Sequence, residues 1–135
     1  MQQNKSIVFT VYTKFLMQFI VAFCIYVLLF GEITPGGGFQ AGAILISALI
    51  GYDLSCDNIN KFLTTRIFIL AAISGLVIYG TTGLMSLFYG KNFLDYSVLA
   101  QEGARVIGIN MIELGIALTV SSSLGLIYME LKNAI

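Results

Sequence analysis

Four long apolar stretches separated by short connections dominate this sequence, and that pattern limits what the chain can become. They run over about 7–30, 35–54, 63–88 and 106–130. A hydrocarbon core roughly 30 Å thick needs about 20 residues of helix at 1.5 Å each. The first, third and fourth stretches meet this comfortably. The second meets it only if helix begins at or near Pro35, with Thr34 as N-cap and Pro35 at the first helical position. The alternative there is a half-extended loop ahead of a short helix. The expected fold class is all-α, a polytopic membrane protein with four transmembrane helices in one domain spanning 1–135.

Charge supports the same conclusion. Only 10% of residues are charged, against roughly 25% in soluble domains, and mean hydropathy is +0.91. Seven acids balance seven bases, which gives no basic patch and argues against a nucleic-acid partner. The chain has no histidine, which argues against His-based acid–base chemistry, metal catalysis and any metal site. No cofactor is implied. The first apolar run exceeds the usual core of a signal peptide and ends in Leu29-Phe30-Gly31-Glu32 rather than a small-x-small cleavage site, so it reads as a retained helix. Cys24 falls inside the first span and reads as a small buried residue. Cys56 falls in a connection at the opposite face and reads as interfacial.

The connections predict orientation. Lys5, Lys14, Lys61, Arg66 and Lys132 share one side if all four spans cross, and only Lys91 and Arg105 share the other. The positive-inside rule then puts both termini in the cytoplasm. Tyr12, Tyr52, Phe88, Tyr89 and Tyr128 lie near span ends and suit the interfacial aromatic belt. The loop Gly90–Gly103 has apolar Phe93, Leu94, Val98 and Leu99 interleaved with Lys91, Asp95, Gln101 and Glu102, a pattern for a short amphipathic piece.

Two features carry candidate function. The first is Thr34-Pro35-Gly36-Gly37-Gly38-Phe39-Gln40-Ala41-Gly42, which contains the chain's one proline. Three successive glycines cost backbone entropy and offer no side chain to pack, so they suit a close approach of backbone to another surface. Pro35, Gly36, Gly37, Gly38, Phe39 and Gly42 form a candidate helix-docking motif. It lacks the Lys-Ser/Thr ending of a phosphate loop. The second feature is Glu113, near a third of the depth of the fourth span. A carboxylate there costs roughly 2.5–3.5 kcal/mol on insertion scales. Glu113, Ala117, Ser121 and Gly125 recur every four residues with Asn110 one turn back, a small, polar helical face. Glu113, Asn110, Ser121 and Glu32 are the candidates for an ion or proton path. Two readings of Glu113 stand: a carboxylate facing a water-filled or ion-conducting interface, and a protonated one holding a helix joint together. Small-residue ridges on the second, third and fourth spans point to partners in the bilayer.

The block Gly31-Glu32-Ile33-Thr34-Pro35-Gly36-Gly37-Gly38-Phe39-Gln40-Ala41-Gly42 resembles the signature of the B-type (MnhB-like) member of Mnh/Mrp-type multisubunit cation/proton antiporters. Met111-Ile112-Glu113-Leu114-Gly115-Ile116-Ala117-Leu118-Thr119-Val120 resembles that family's second recurring stretch. Glu32 stands where the family commonly has histidine. The resemblance covers nearly the whole chain. It implies a small membrane subunit, without catalytic activity of its own, of a bacterial inner-membrane complex exchanging Na+ or another monovalent cation for protons. Its partners would be the other membrane subunits, the lipid bilayer and the transported ions. The alternatives are a membrane subunit of a related ion-translocating hydrogenase or other redox complex similar to complex I, and an autonomous homo-oligomeric transporter.

Overall fold

The computed structural model describes residues 7–31, 33, 35–55, 64–95 and 102–134, the side chains of 102–105 aside. The described residues form four helices and no strand: α1 Ile7–Leu29, α2 Gly38–Ser55, α3 Thr65–Phe88 and α4 Glu102–Ala134. All four are long and apolar enough to cross a membrane. Helices are the natural solution for an open chain in lipid, because each satisfies its backbone N–H and C=O groups internally.

α1 pairs with α2 and α3 with α4, and the two pairs meet along α2 and α4; α1 also touches α4. α2 and α4 run parallel in a constant register. Gly38 packs on Glu113, Gly42 on Ala117, and Asp53 meets Tyr128. α3 runs antiparallel to α4, with Gly75 against Gly115 and Thr119 and Phe68 against Gly125. α2 and α4 are the inner helices; α1 and α3 turn most of their large apolar side chains outward.

The core is built from small residues. Ala41, Ala48 and Ser122 are almost fully buried, as is Ile46. Lipid tails are as apolar as leucine, so burial alone gives little drive between helices; close backbone contact and dispersion replace it. Cys24, Val27, Ala41 and Ala117 form one buried cluster, and the Cys24 thiol donates to the Ala41 carbonyl at 3.1 Å. Ile46 and Phe68 form a second, flanked by Leu126 and Met129 of α4.

Three boundaries differ from the sequence reading. α2 starts at Gly38 rather than Pro35, because Gly37 adopts φ +134°, a conformation no helical residue takes. The Ala41 N–H bonds the Gly37 carbonyl at 2.9 Å and so begins the helix. The resulting 18-residue helix spans about 27 Å, slightly less than the hydrocarbon core. The capping role expected of Thr34 falls outside the described residues, as does Cys56. α4 begins at Glu102, four residues before the expected 106, and continues to Ala134.

The described part of the loop after α3 is also not an amphipathic piece. Gly90, at φ +72°, closes α3 with two backbone bonds, Gly90 N–H to Leu87 O and Lys91 N–H to Ser86 O, the Schellman pattern. Residues 91–95 then turn, and Phe93 folds back onto Gly83 and meets Tyr79 edge-on. Residues 96–101 lie outside the described residues.

Candidate functional site

The fold brings the two sequence candidates together. Glu113 projects from α4 onto the backbone of the glycine block at the α1–α2 connection. A Cβ added at Gly31 would lie 2.8 Å from Glu113 Oε2 and 3.0 Å from Oε1. One added at Gly37 would lie 3.3 Å from Oε1. One added at Gly38 would collide with the Glu113 carbonyl oxygen and lie 2.9 Å from its Cα. Gly31, Gly37 and Gly38 therefore form a hollow with glycine backbone on its α1–α2 side, filled by the Glu113 side chain and the α4 backbone beneath it. Oε2 is shut off from solvent within it.

Local chain geometry explains the hollow. α1 ends at Leu29, and the Ile33 N–H bonds the Phe30 carbonyl at 3.0 Å, which turns the chain over Gly31. Gly37 takes its positive φ there, where any side chain is strained. Gly38 then starts α2 in direct contact with α4. The carboxylate sits at the N-terminal end of α2, whose first N–H groups lack intrahelical acceptors and whose dipole presents its positive end. A negative or strongly hydrogen-bonding group is favoured at that point by the helix itself.

The remaining candidates are distributed around this contact. Gly36 packs against Val27 of α1, 3.0 Å from a valine methyl by the same measure, and Gly42 packs on the Ala117 carbonyl at 2.7 Å. Pro35 is exposed, and Phe39 is 66% exposed and faces away from the bundle. Asn110 is half-buried one turn from Glu113. Ser121 is buried, but its hydroxyl donates to its own helix at Leu118 O, 3.2 Å, and it stands two turns beyond the carboxylate. Glu32 falls outside the described residues.

The Glu113–Ala117–Ser121–Gly125 stripe does not face one open surface. Four-residue steps drift by about 40° each around a 3.6-residue helix. Ala117 consequently meets α2 at Gly42, whereas Gly125 meets α3 at Phe68.

A second polar centre escaped the sequence reading. Asp53, in the last turn of α2, accepts the Tyr128 hydroxyl at 2.7 Å and the Lys132 ammonium at 2.7 Å, both on Oδ2. Its side chain is only 3% exposed, while that of Lys132 is 41% exposed. Topology held the signal: Asp53 and Lys132 end the second and fourth spans on the same membrane side. Recognising the pair required knowing that α2 and α4 are neighbours.

Four helices, each long and apolar enough to cross a bilayer, define the architecture of a multi-pass membrane protein. Residues 8–126 match the family described as "Domain related to MnhB subunit of Na+/H+ antiporter", and the chain belongs to that family. It is 34% identical to the putative antiporter subunit mnhB2 of Staphylococcus haemolyticus, over 89% of each chain. It is 28% identical to the B-type subunit of the Na(+)/H(+) antiporter of Bacillus subtilis, over 92% of this chain and 96% of that one. It is 32% identical to the putative antiporter subunit mnhB2 of Staphylococcus aureus strain Newman, over 89% of each. No solved structure matches.

Proposed function

We propose that this chain is a small membrane subunit of a multisubunit Na+/H+ antiporter complex of the bacterial plasma membrane, with both termini cytoplasmic and no catalytic activity of its own. Family membership and the names of its relatives support the complex. The observation that carries the site is the seating of Glu113 against Gly31, Gly37 and Gly38. By this reading Glu113, with Asn110 beside it, borders an ion or proton path. The glycine backbone holds the carboxylate in place without introducing a competing side chain. Within the chain the docking motif serves α4 through Gly37, Gly38 and Gly42, and it offers Phe39 to a neighbouring subunit.

Purifying the tagged chain in mild detergent from its native membrane and identifying what accompanies it tests the complex. Antiporter subunits without redox proteins are the expected result. Hydrogenase or iron–sulfur subunits would instead place it in a redox-coupled complex, and a homo-oligomer alone would contradict both.

A further inference from the structure

We propose that Asp53 is a monovalent-cation site, occupied in the structure by the Lys132 ammonium and open to exchange with an alkali cation from the adjoining water. This site lies about 22 Å along α2 from Gly38 and is separate from Glu113; the proposal does not depend on Glu113 bordering a path.

The two partners are held very differently. Asp53 is almost fully enclosed, and its Oδ2 receives both the Tyr128 hydroxyl and the Lys132 ammonium at 2.7 Å. Tyr128 is an anchored, neutral ligand one turn before Lys132 in α4. Lys132 lies in the last turn of α4, and its side chain is 41% exposed. A lysine stem at a helix end can swing its charge into water at little cost. The enclosed carboxylate cannot follow, and a bare buried carboxylate costs several kcal/mol. Departure of the ammonium therefore requires the carboxylate to take up either a proton or another cation, and at constant pH an alkali cation competes for that place.

The surroundings favour such a substitute. Asp53 sits in the last turn of α2, whose dipole presents its negative end there. An alkali cation would find the Asp53 carboxylate and the Tyr128 phenol oxygen already converged. One positive charge leaves as one enters, so the net charge of the site is unchanged. The ammonium marks the cation position in the structure.

The test is amine labelling of Lys132 in the purified complex, read by peptide mass spectrometry at constant pH and ionic strength while NaCl replaces choline chloride. The expected result is a several-fold rise in Lys132 labelling as Na+ displaces the ammonium. Asp53→Asn should abolish the Na+ dependence of Lys132 labelling. A second measurement uses Lys132→Met, whose thermal unfolding temperature should recover as Na+ replaces choline, whereas Asp53→Asn combined with Lys132→Met should not respond. Should Lys132→Met fail to assemble, the wild-type labelling decides. Wild-type labelling that stays flat as Na+ replaces choline would overturn the proposal and leave the pair as a fixed strut. A Na+-dependent rise that persists in Asp53→Asn would overturn it as well, because Asp53 would then not be where Na+ binds.

Discussion

Glycine at position 38 has a measurable job: it lets the first residue of α2 touch the backbone of Glu113. Any side chain there must push α2 away from α4 or distort the helix start. Overpacking of this kind costs about 1–3 kcal/mol. Gly38→Val should therefore lower the thermal unfolding temperature of the purified complex. Phe39→Ala removes a largely exposed ring and should leave the chain's own packing unchanged, so a drop in complex yield for that variant would show the ring seated on another subunit. Unfolding temperatures that are equal for Gly38→Val and wild type would contradict the contact. Glu113 itself was legible in the sequence, because a carboxylate inside an apolar span is expensive and announces itself. Its partner was harder to read. Glycine contributes only backbone, and nothing in the local sequence says which carboxylate a bare backbone will face. Gly37 shows the same limit: its positive φ sets the start of α2, yet three glycines in a row leave open which one turns the chain.

The helices themselves were largely legible, since hydropathy and length decide a transmembrane span. α1 and α3 fall within a residue or two of their expected bounds. How they pair was not legible, because small-residue ridges are common and each can serve several neighbours. The contrast within α3 makes the point. Gly75 crosses α4 at Gly115, where each glycine's added Cβ would lie within 2.8 Å of the other's carbonyl. Gly80, five residues on, faces open space. Gly75→Leu should therefore separate α3 from α4 and reduce the yield of folded protein. Gly80→Leu should leave this chain's fold intact, as judged by protease resistance in detergent. Loss of fold in Gly80→Leu, or its retention in Gly75→Leu, would contradict the arrangement. If Gly80→Leu keeps the fold but lowers complex yield, the open face of α3 receives another subunit. Asp53 belongs to this scale too. It stands at the edge of its span, where a charge is ordinary, and only the parallel register of α2 and α4 sets it beside Tyr128 and Lys132. Tyr128→Phe removes one hydrogen bond to that carboxylate and should cost about 1 kcal/mol, read as a small fall in unfolding temperature.

At the scale of the whole molecule, two helix pairs joined along α2 and α4 leave α1 and α3 with broad apolar outer faces. Phe15, Phe19 and Phe23 are all more than half exposed along α1, and lipid or a neighbouring subunit must cover them. Inside, two polar centres stand apart: the Glu113 seat at one end of the α2–α4 pair and Asp53 with Tyr128 and Lys132 at the other. By the proposed function, the first of these serves ion exchange rather than merely joining helices. Antiport by the complex in everted membrane vesicles, followed as Na+-dependent collapse of a pH gradient and normalised to assembled complex, tests this most directly with Glu113→Gln. The amide keeps the shape and much of the hydrogen bonding but cannot take a negative charge. Normal assembly with antiport reduced to a small fraction of wild type is the predicted result. Wild-type antiport per assembled complex, or a complex that falls apart, would contradict it and make Glu113 a structural joint.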